Sequence, residues 1–212
     1  MTNLLIFIIG FILFVASLFV GTIMYKKDYG KKYNFLNHYP FELKTNFNIK
    51  LLNTFRASLF GSIIILLISV FLIFHNNPDG SFASKSCSYM LILDGILLVT
   101  LFIIPFYYYK SHLICSIGVM VLNFAVCIIM GFNCLNNKGI NNLYCFSIIY
   151  FILGIIVYIL MILPLLKSWY KSGIDEKTQE RNKVIPYALI EWINIGIFFL
   201  IIIICLIRSF VY

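Results

Sequence analysis

The sequence predicts an all-α integral membrane protein, a six-helix transmembrane bundle with short loops and both termini on the outer side. Three observations carry that expectation. The first is composition: of 212 residues, 62% are hydrophobic and 11% charged, and the mean hydropathy is +0.98. Soluble domains are nearer half apolar and a quarter charged, and a soluble fold of this length has too little interior to hide such an apolar surface. The second is run length. Crossing about 30 Å of hydrocarbon takes roughly 20 apolar residues, and six such runs occur, at about 3–24, 57–75, 88–109, 113–135, 143–166 and 185–207. The third is charge placement. With the N-terminus outside, the inner loops hold Lys26, Lys27, Lys31, Lys32, Lys44, Lys50, Arg56, Lys110, Lys167, Lys171, Lys177, Arg181 and Lys183, and the outer side holds only Lys85, Lys138 and Arg208. That asymmetry is the positive-inside pattern, and it accounts for the net charge of +8 with the lipid bilayer as partner and no nucleic acid.

The runs are read as helices because hydrocarbon leaves the backbone no partner outside its own segment. A β-barrel strand would alternate over about ten residues; Ile63-Ile64-Ile65-Leu66-Leu67 does not alternate. The first run has no positive region before it and is followed by Lys26, Lys27, Lys31 and Lys32, which fits an uncleaved signal-anchor better than a cleaved signal peptide. The loop after it, about 30 residues long by this reading, centres on Asn37-His38-Tyr39-Pro40-Phe41-Glu42-Leu43, where Pro40 interrupts any helix. From Thr45, an N-cap candidate, Phe47, Leu51 and Phe55 recur on one face with Asn46, Lys50 and Asn53 opposite, the pattern of a short interfacial helix at about 46–56. The alternative is an early start to the second span.

The outer loops Asn76-Asn77-Pro78-Asp79-Gly80 and Asn136-Asn137-Lys138-Gly139 are built of turn formers. Lys110-Ser111-His112 reads as a tight inner turn with a solvated histidine. Pro105 and Pro164 stand near the inner ends of the third and fifth spans, each followed by a Lys-Ser pair; two ordinary kinks explain them more simply than an internal repeat. No segment is long enough for a soluble domain, so residues 1–212 form one transmembrane domain.

Two acids lie inside the spans: Asp94 in the third and Glu191 in the sixth. An acid near mid-span costs roughly 2.5–3.5 kcal/mol on the insertion scale, which the Leu, Ile, Val and Phe residues of the third span, at about −0.4 kcal/mol each, outweigh. Counting about 1.5 Å per residue puts Asp94 roughly 9 Å below the outer surface and Glu191 as far above the inner one. Asn123 and Asn194 fall between them in depth, and Tyr187, Glu191 and Asn194 share one helix face. The line Asp94–Asn123–Asn194–Glu191 is thus the candidate proton or ion path. The plainer reading is hydrogen-bonded helix–helix glue, or a docking point for a partner subunit.

The six cysteines show no Cys-x-x-Cys pair and no zinc spacing. Cys134 and Cys145 bracket an outer loop where a disulfide is sterically allowed, although buried thiols are the commoner case. The three histidines fall on both sides of the membrane and cannot share a metal, and no Walker A loop or nucleophile–base spacing occurs, so neither metal nor cofactor is expected. The sequence therefore favours a non-enzymatic accessory subunit, or a membrane-embedded immunity or resistance factor whose partner is another membrane protein or a secreted toxin. The competing expectation is a small ion- or proton-coupled transporter using Asp94 and Glu191. Localisation in the cell membrane goes with either.

The topology has a direct check. Single cysteines at positions 31, 77, 137 and 177, in a background without the native six, are expected to react with an impermeant reagent from outside intact cells at 77 and 137 only. Labelling at 177 from outside would overturn the arrangement.

Overall fold

A computed structural model describes residues 2–43, 49–75, 82–104, 109–136, 143–162 and 184–211. Those residues are all-helical, without a strand, and six helices among them are long and apolar enough to cross a membrane. They are α1 (Thr2–Tyr29), α2 (Ile49–His75), α3 (Phe82–Ile103), α4 (Tyr109–Asn136), α5 (Leu143–Ile162) and α6 (Pro186–Val211), with a 3₁₀ turn at Pro40–Leu43 between α1 and α2.

The number of spans agrees with the hydrophobic runs, but several boundaries move: α1 runs on to Tyr29, α2 begins at Ile49 rather than 57, and both ends of the third helix shift. The third helix starts at Phe82 rather than 88, because its polar first turns satisfy themselves: the Ser86 hydroxyl donates to Phe82 O at 2.8 Å and that of Ser88 to Lys85 O at 2.7 Å. It ends at Ile103 rather than 109, since a residue preceding a proline is driven out of the α region and Pro105 follows. Tyr109 then opens α4, so Lys110, Ser111 and His112 belong to the first turn of a helix and not to a turn between helices. Pro105, Pro164 and the basic segment before α6 lie outside the described residues.

Helices α1 to α5 pack each against the next in chain order, and α6 touches α2, α4 and α5. Phe199 of α6 also meets Phe14 and Phe11 of α1, with ring centroids 4.7 and 5.4 Å apart. About two-thirds (67%) of the α6 span is buried, against 28% for α1 and α5, which makes α6 the central helix of the bundle. The outermost faces are apolar: Ile148, Ile152, Ile155 and Ile159 of α5 stand exposed at helical spacing, the surface that lipid would cover.

The long first loop is folded onto the bundle. Gly30, at φ 66°, ends α1 in the left-handed conformation and donates its N–H to Lys26 O at 3.0 Å. The chain then returns as a strap, residues 33–43, across the N-terminal end of α6. Ile185 N–H donates to Leu36 O at 2.8 Å and the Trp192 indole N–H to His38 O at 2.9 Å. Within the strap the Tyr33 hydroxyl donates to Tyr39 O at 2.8 Å, and Tyr39 N–H donates to the Glu42 carboxylate at 2.7 Å, closing the first turn of the 3₁₀ helix. Burial, with Glu42 nearby, holds the Tyr33 phenol well above the usual tyrosine range, so it stays a donor. Tyr39 and Leu43 are fully buried. Phe55 of α2 is buried in the same core as Leu43, while Phe47 and the Leu51 side chain lie outside the described residues.

Gly21 marks where α1, α2 and the strap converge. A Cβ there would stand 2.9 Å from the Phe55 ring and 3.3 Å from Leu43 Cβ, whereas one at Gly61 would meet nothing within 4 Å. Gly21→Leu is therefore expected to cost about 1–3 kcal/mol and to lower the thermal midpoint in detergent, with Gly61→Leu close to wild type. Equal midpoints for the two variants would contradict this packing.

Candidate functional site

The candidate site lies at the end of the bundle that carries the strap. Four residues into α4, His112 is fully buried, and its Nε2 is 2.7 Å from Glu191 Oε1 of α6. Its Nδ1 is 2.9 Å from Ile104 O. This carbonyl follows the last residue of α3, where the helix supplies no N–H, so His112 caps one helix while it bonds another. The expected solvated histidine is thus a buried one, and it stands against Glu191. The sequence reading placed His112 in an interhelical turn; starting α4 at Tyr109 moves it into the helix and inward.

The geometry fixes the proton count. A carbonyl oxygen only accepts, so Nδ1 carries a hydrogen. One further proton lies on the short Nε2···Oε1 line: on nitrogen it gives an imidazolium–carboxylate pair, on oxygen a neutral imidazole and a carboxylic acid. The pair is net neutral both ways, which removes most of the cost of placing an acid there. Ser116, buried one turn along the same face of α4, lies near the Glu191 carboxyl, whose Oε2 has no hydrogen-bond partner among the described residues. These three side chains do not form a hydrolytic triad. The two imidazole nitrogens go to Glu191 and to a backbone carbonyl, so neither is turned to a serine hydroxyl.

Aromatic rings roof the pair. Tyr39 and Phe41 of the strap meet the His112 ring edge-on at 6.1 and 5.6 Å, and Tyr187, one turn before Glu191 on α6, packs against Tyr39 at 6.4 Å. Deeper in the bundle, Asn194 Nδ2 donates to Ile190 O at 3.0 Å, and Asn123 Nδ2 reaches the Asn194 carbonyl at 3.4 Å. Both asparagines are buried. Asp94 is fully buried on α3, and neither of its oxygens has a hydrogen-bond partner among the described residues. The structure therefore brings Glu191 to His112 and Asn123 to the backbone of Asn194, and it joins Asp94 to none of them by a hydrogen bond.

Towards the other end of α6, Arg208, counted above with the outer charges, is buried, its Nη1 3.9 Å from Met130 Sδ. The Tyr150 hydroxyl and the Cys205 thiol lie 3.1 Å apart. Cys134 is buried, Cys145 exposed, and both are unbridged thiols. Among the described residues no three His, Cys, Asp or Glu side chains gather as a metal site.

Sequence reasoning missed His112, Ser116, Trp192 and the strap. One signal was present: His112 and Ser116 stand at i and i+4 near one end of a span, as Glu191 does near the corresponding end of another. No family model matches the chain, and neither the curated proteins nor the solved structures contain a match to it.

Proposed function

We propose that this chain is a non-enzymatic multi-pass protein of the cell membrane that acts by binding a partner within the bilayer, as an accessory subunit or as an immunity or resistance factor. The observation that carries this reading is the neutral His112–Glu191 pair: both imidazole nitrogens and the Glu191 Oε1 are engaged between α3, α4 and α6, while Oε2 is buried without a hydrogen-bond partner among the described residues. The Asn123–Asn194 contact is likewise internal, and Asp94 is not joined to either by a hydrogen bond among the described residues. Polar groups arranged in this way act as interhelical glue. The partner on this reading is another membrane protein or a secreted toxin, met through the apolar outer faces. Both termini lie outside by the positive-inside pattern, and the basic start of α2 lies at the inner side with Phe55 turned into the bundle.

A second reading, a small ion- or proton-coupled transporter using Asp94 and Glu191, draws on one specific observation. Asp94 sits in the bundle interior with both oxygens unbonded among the described residues, and intramembrane acids of that kind usually mark a transport path.

Reconstitution separates the two. In liposomes holding a pH-sensitive dye, under an imposed potassium diffusion potential, the wild-type chain is expected to move protons no faster than empty liposomes do. Proton flux above that background, abolished by Asp94→Asn and by Glu191→Gln, would replace partner binding with transport, because an amide keeps the shape of the acid but cannot titrate.

A further inference from the structure

We propose that Asp94, together with Asn123 and Asn194, forms a binding site for one alkali-metal cation in the middle of the bundle. Helix geometry brings the three residues to one level. Leu97 of α3 packs against Gly118 of α4, so in this antiparallel pair Asp94 stands level with about residue 121, within roughly 3 Å in depth of Asn123. Around the axis of α3, Gly95 stands about 100° from Asp94 and faces Leu67 of α2, while Leu97 stands about 60° the other way and faces α4. Asp94 thus points between α2 and α4, where α6 packs against both. From α4, Asn123 Nδ2 meets the Asn194 carbonyl of α6, which sets both asparagines at this level of the interior.

The chemistry of the side-chain atoms left over at this level selects the ligand. The amide nitrogens of both asparagines are spent on backbone carbonyls, Asn123 Nδ2 on Asn194 O and Asn194 Nδ2 on Ile190 O. What remains is oxygen: Asp94 Oδ1 and Oδ2, Asn123 Oδ1 and Asn194 Oδ1 are all buried without a hydrogen-bond partner among the described residues. A set of acceptors with its own amide donors already committed calls for a positive partner, and carboxylate and carbonyl oxygens suit hard cations. Charge balance narrows the choice. One monovalent cation neutralises the single Asp94 carboxylate, as His112 does for Glu191, whereas a divalent ion would leave a net charge in the apolar interior. Metals that prefer nitrogen or sulfur find no group of three His, Cys, Asp or Glu side chains among the described residues. Such a site rests on neither functional reading: a cation held there stabilises a structural bundle as readily as it serves a transporting one.

The thermal midpoint of the full-length chain in detergent tests the site. Sodium or potassium chloride replaces choline chloride stepwise at constant ionic strength, choline being too large for a cluster of buried side-chain oxygens. At about 100 mM of the alkali cation that fits, the midpoint is expected to stand roughly 3–8 °C above its value in choline and to level off with concentration. Asp94→Asn keeps the shape of the side chain but removes the charge that balances the cation, and it is expected to abolish the rise. Asn123→Ala takes away one oxygen and is expected to increase the half-saturating concentration at least about fivefold, which locates the site even where the Asp94 variant does not fold. Glu191→Gln, toward the strap end of α6, is expected to leave the rise in place. A midpoint that neither alkali chloride moves beyond choline overturns the site. So does a rise that is unchanged in Asp94→Asn or in Asn123→Ala, or one that is lost in Glu191→Gln.

Discussion

Glu191 is held in the bundle by a proton that it shares with His112, and much of the architecture at that end follows from the need to keep the pair together. A carboxylate alone in hydrocarbon is costly, and one facing an imidazole across 2.7 Å is less so, because the two carry no net charge between them wherever the proton lies. The same imidazole closes the Ile104 carbonyl at the end of α3. One side chain of α4 thereby positions α6 on one side and finishes α3 on the other. Tyr39 and Phe41 then lie over it, which is why a loop of mixed polarity is drawn down onto the helices instead of resting in the interface.

The central place of α6 has the same origin. It is the last helix in the chain, and yet it carries Glu191 and Asn194, presents its backbone to Asn123, and receives Phe11 and Phe14 of α1 against Phe199. Without a hydrophobic driving force between helices in lipid, such polar contacts and close ring packing decide which helix occupies the middle. Asp94 stands apart from this scheme: it is as deeply buried as Glu191 but has no partner such as His112. It is an acid whose presence the packing alone does not explain.

Much of this was legible in the sequence, at the level where the physics is collective. Six runs of spanning length are set by hydrocarbon thickness, and α2, α4, α5 and α6 lie within a few residues of the runs that announce them, apart from the early start of α2 at Ile49. The third helix was misjudged at both ends for local reasons. Ser86 and Ser88 look like loop residues until their hydroxyls bond back to the helix, and the proline rule at Pro105 was given less weight than the apolar run through it. That error hid the site. With the third span extended to 109, His112 fell in a turn at the surface, a turn's depth from Glu191. The strap could not be found by periodicity at all, because carbonyl contacts, ring packing and the burial of Leu43 in a 3₁₀ turn hold it, and these leave no period to detect. Tyr187, Asn123 and Asn194 are buried in the bundle, and what the two asparagines bond to emerges only from the packing.

The account stands on the claim that His112 and Glu191 act as one unit, and a double-mutant cycle measures that coupling. The midpoints and free energies of unfolding of His112→Ala, Glu191→Ala and the double variant would be compared in the same detergent. Each single change strands a buried partner, so the double variant is predicted to lose less stability than the two singles added together, by about 1–3 kcal/mol. Additive losses, within about 0.5 kcal/mol, would mean that the two side chains do not meet in the folded protein and would contradict the account.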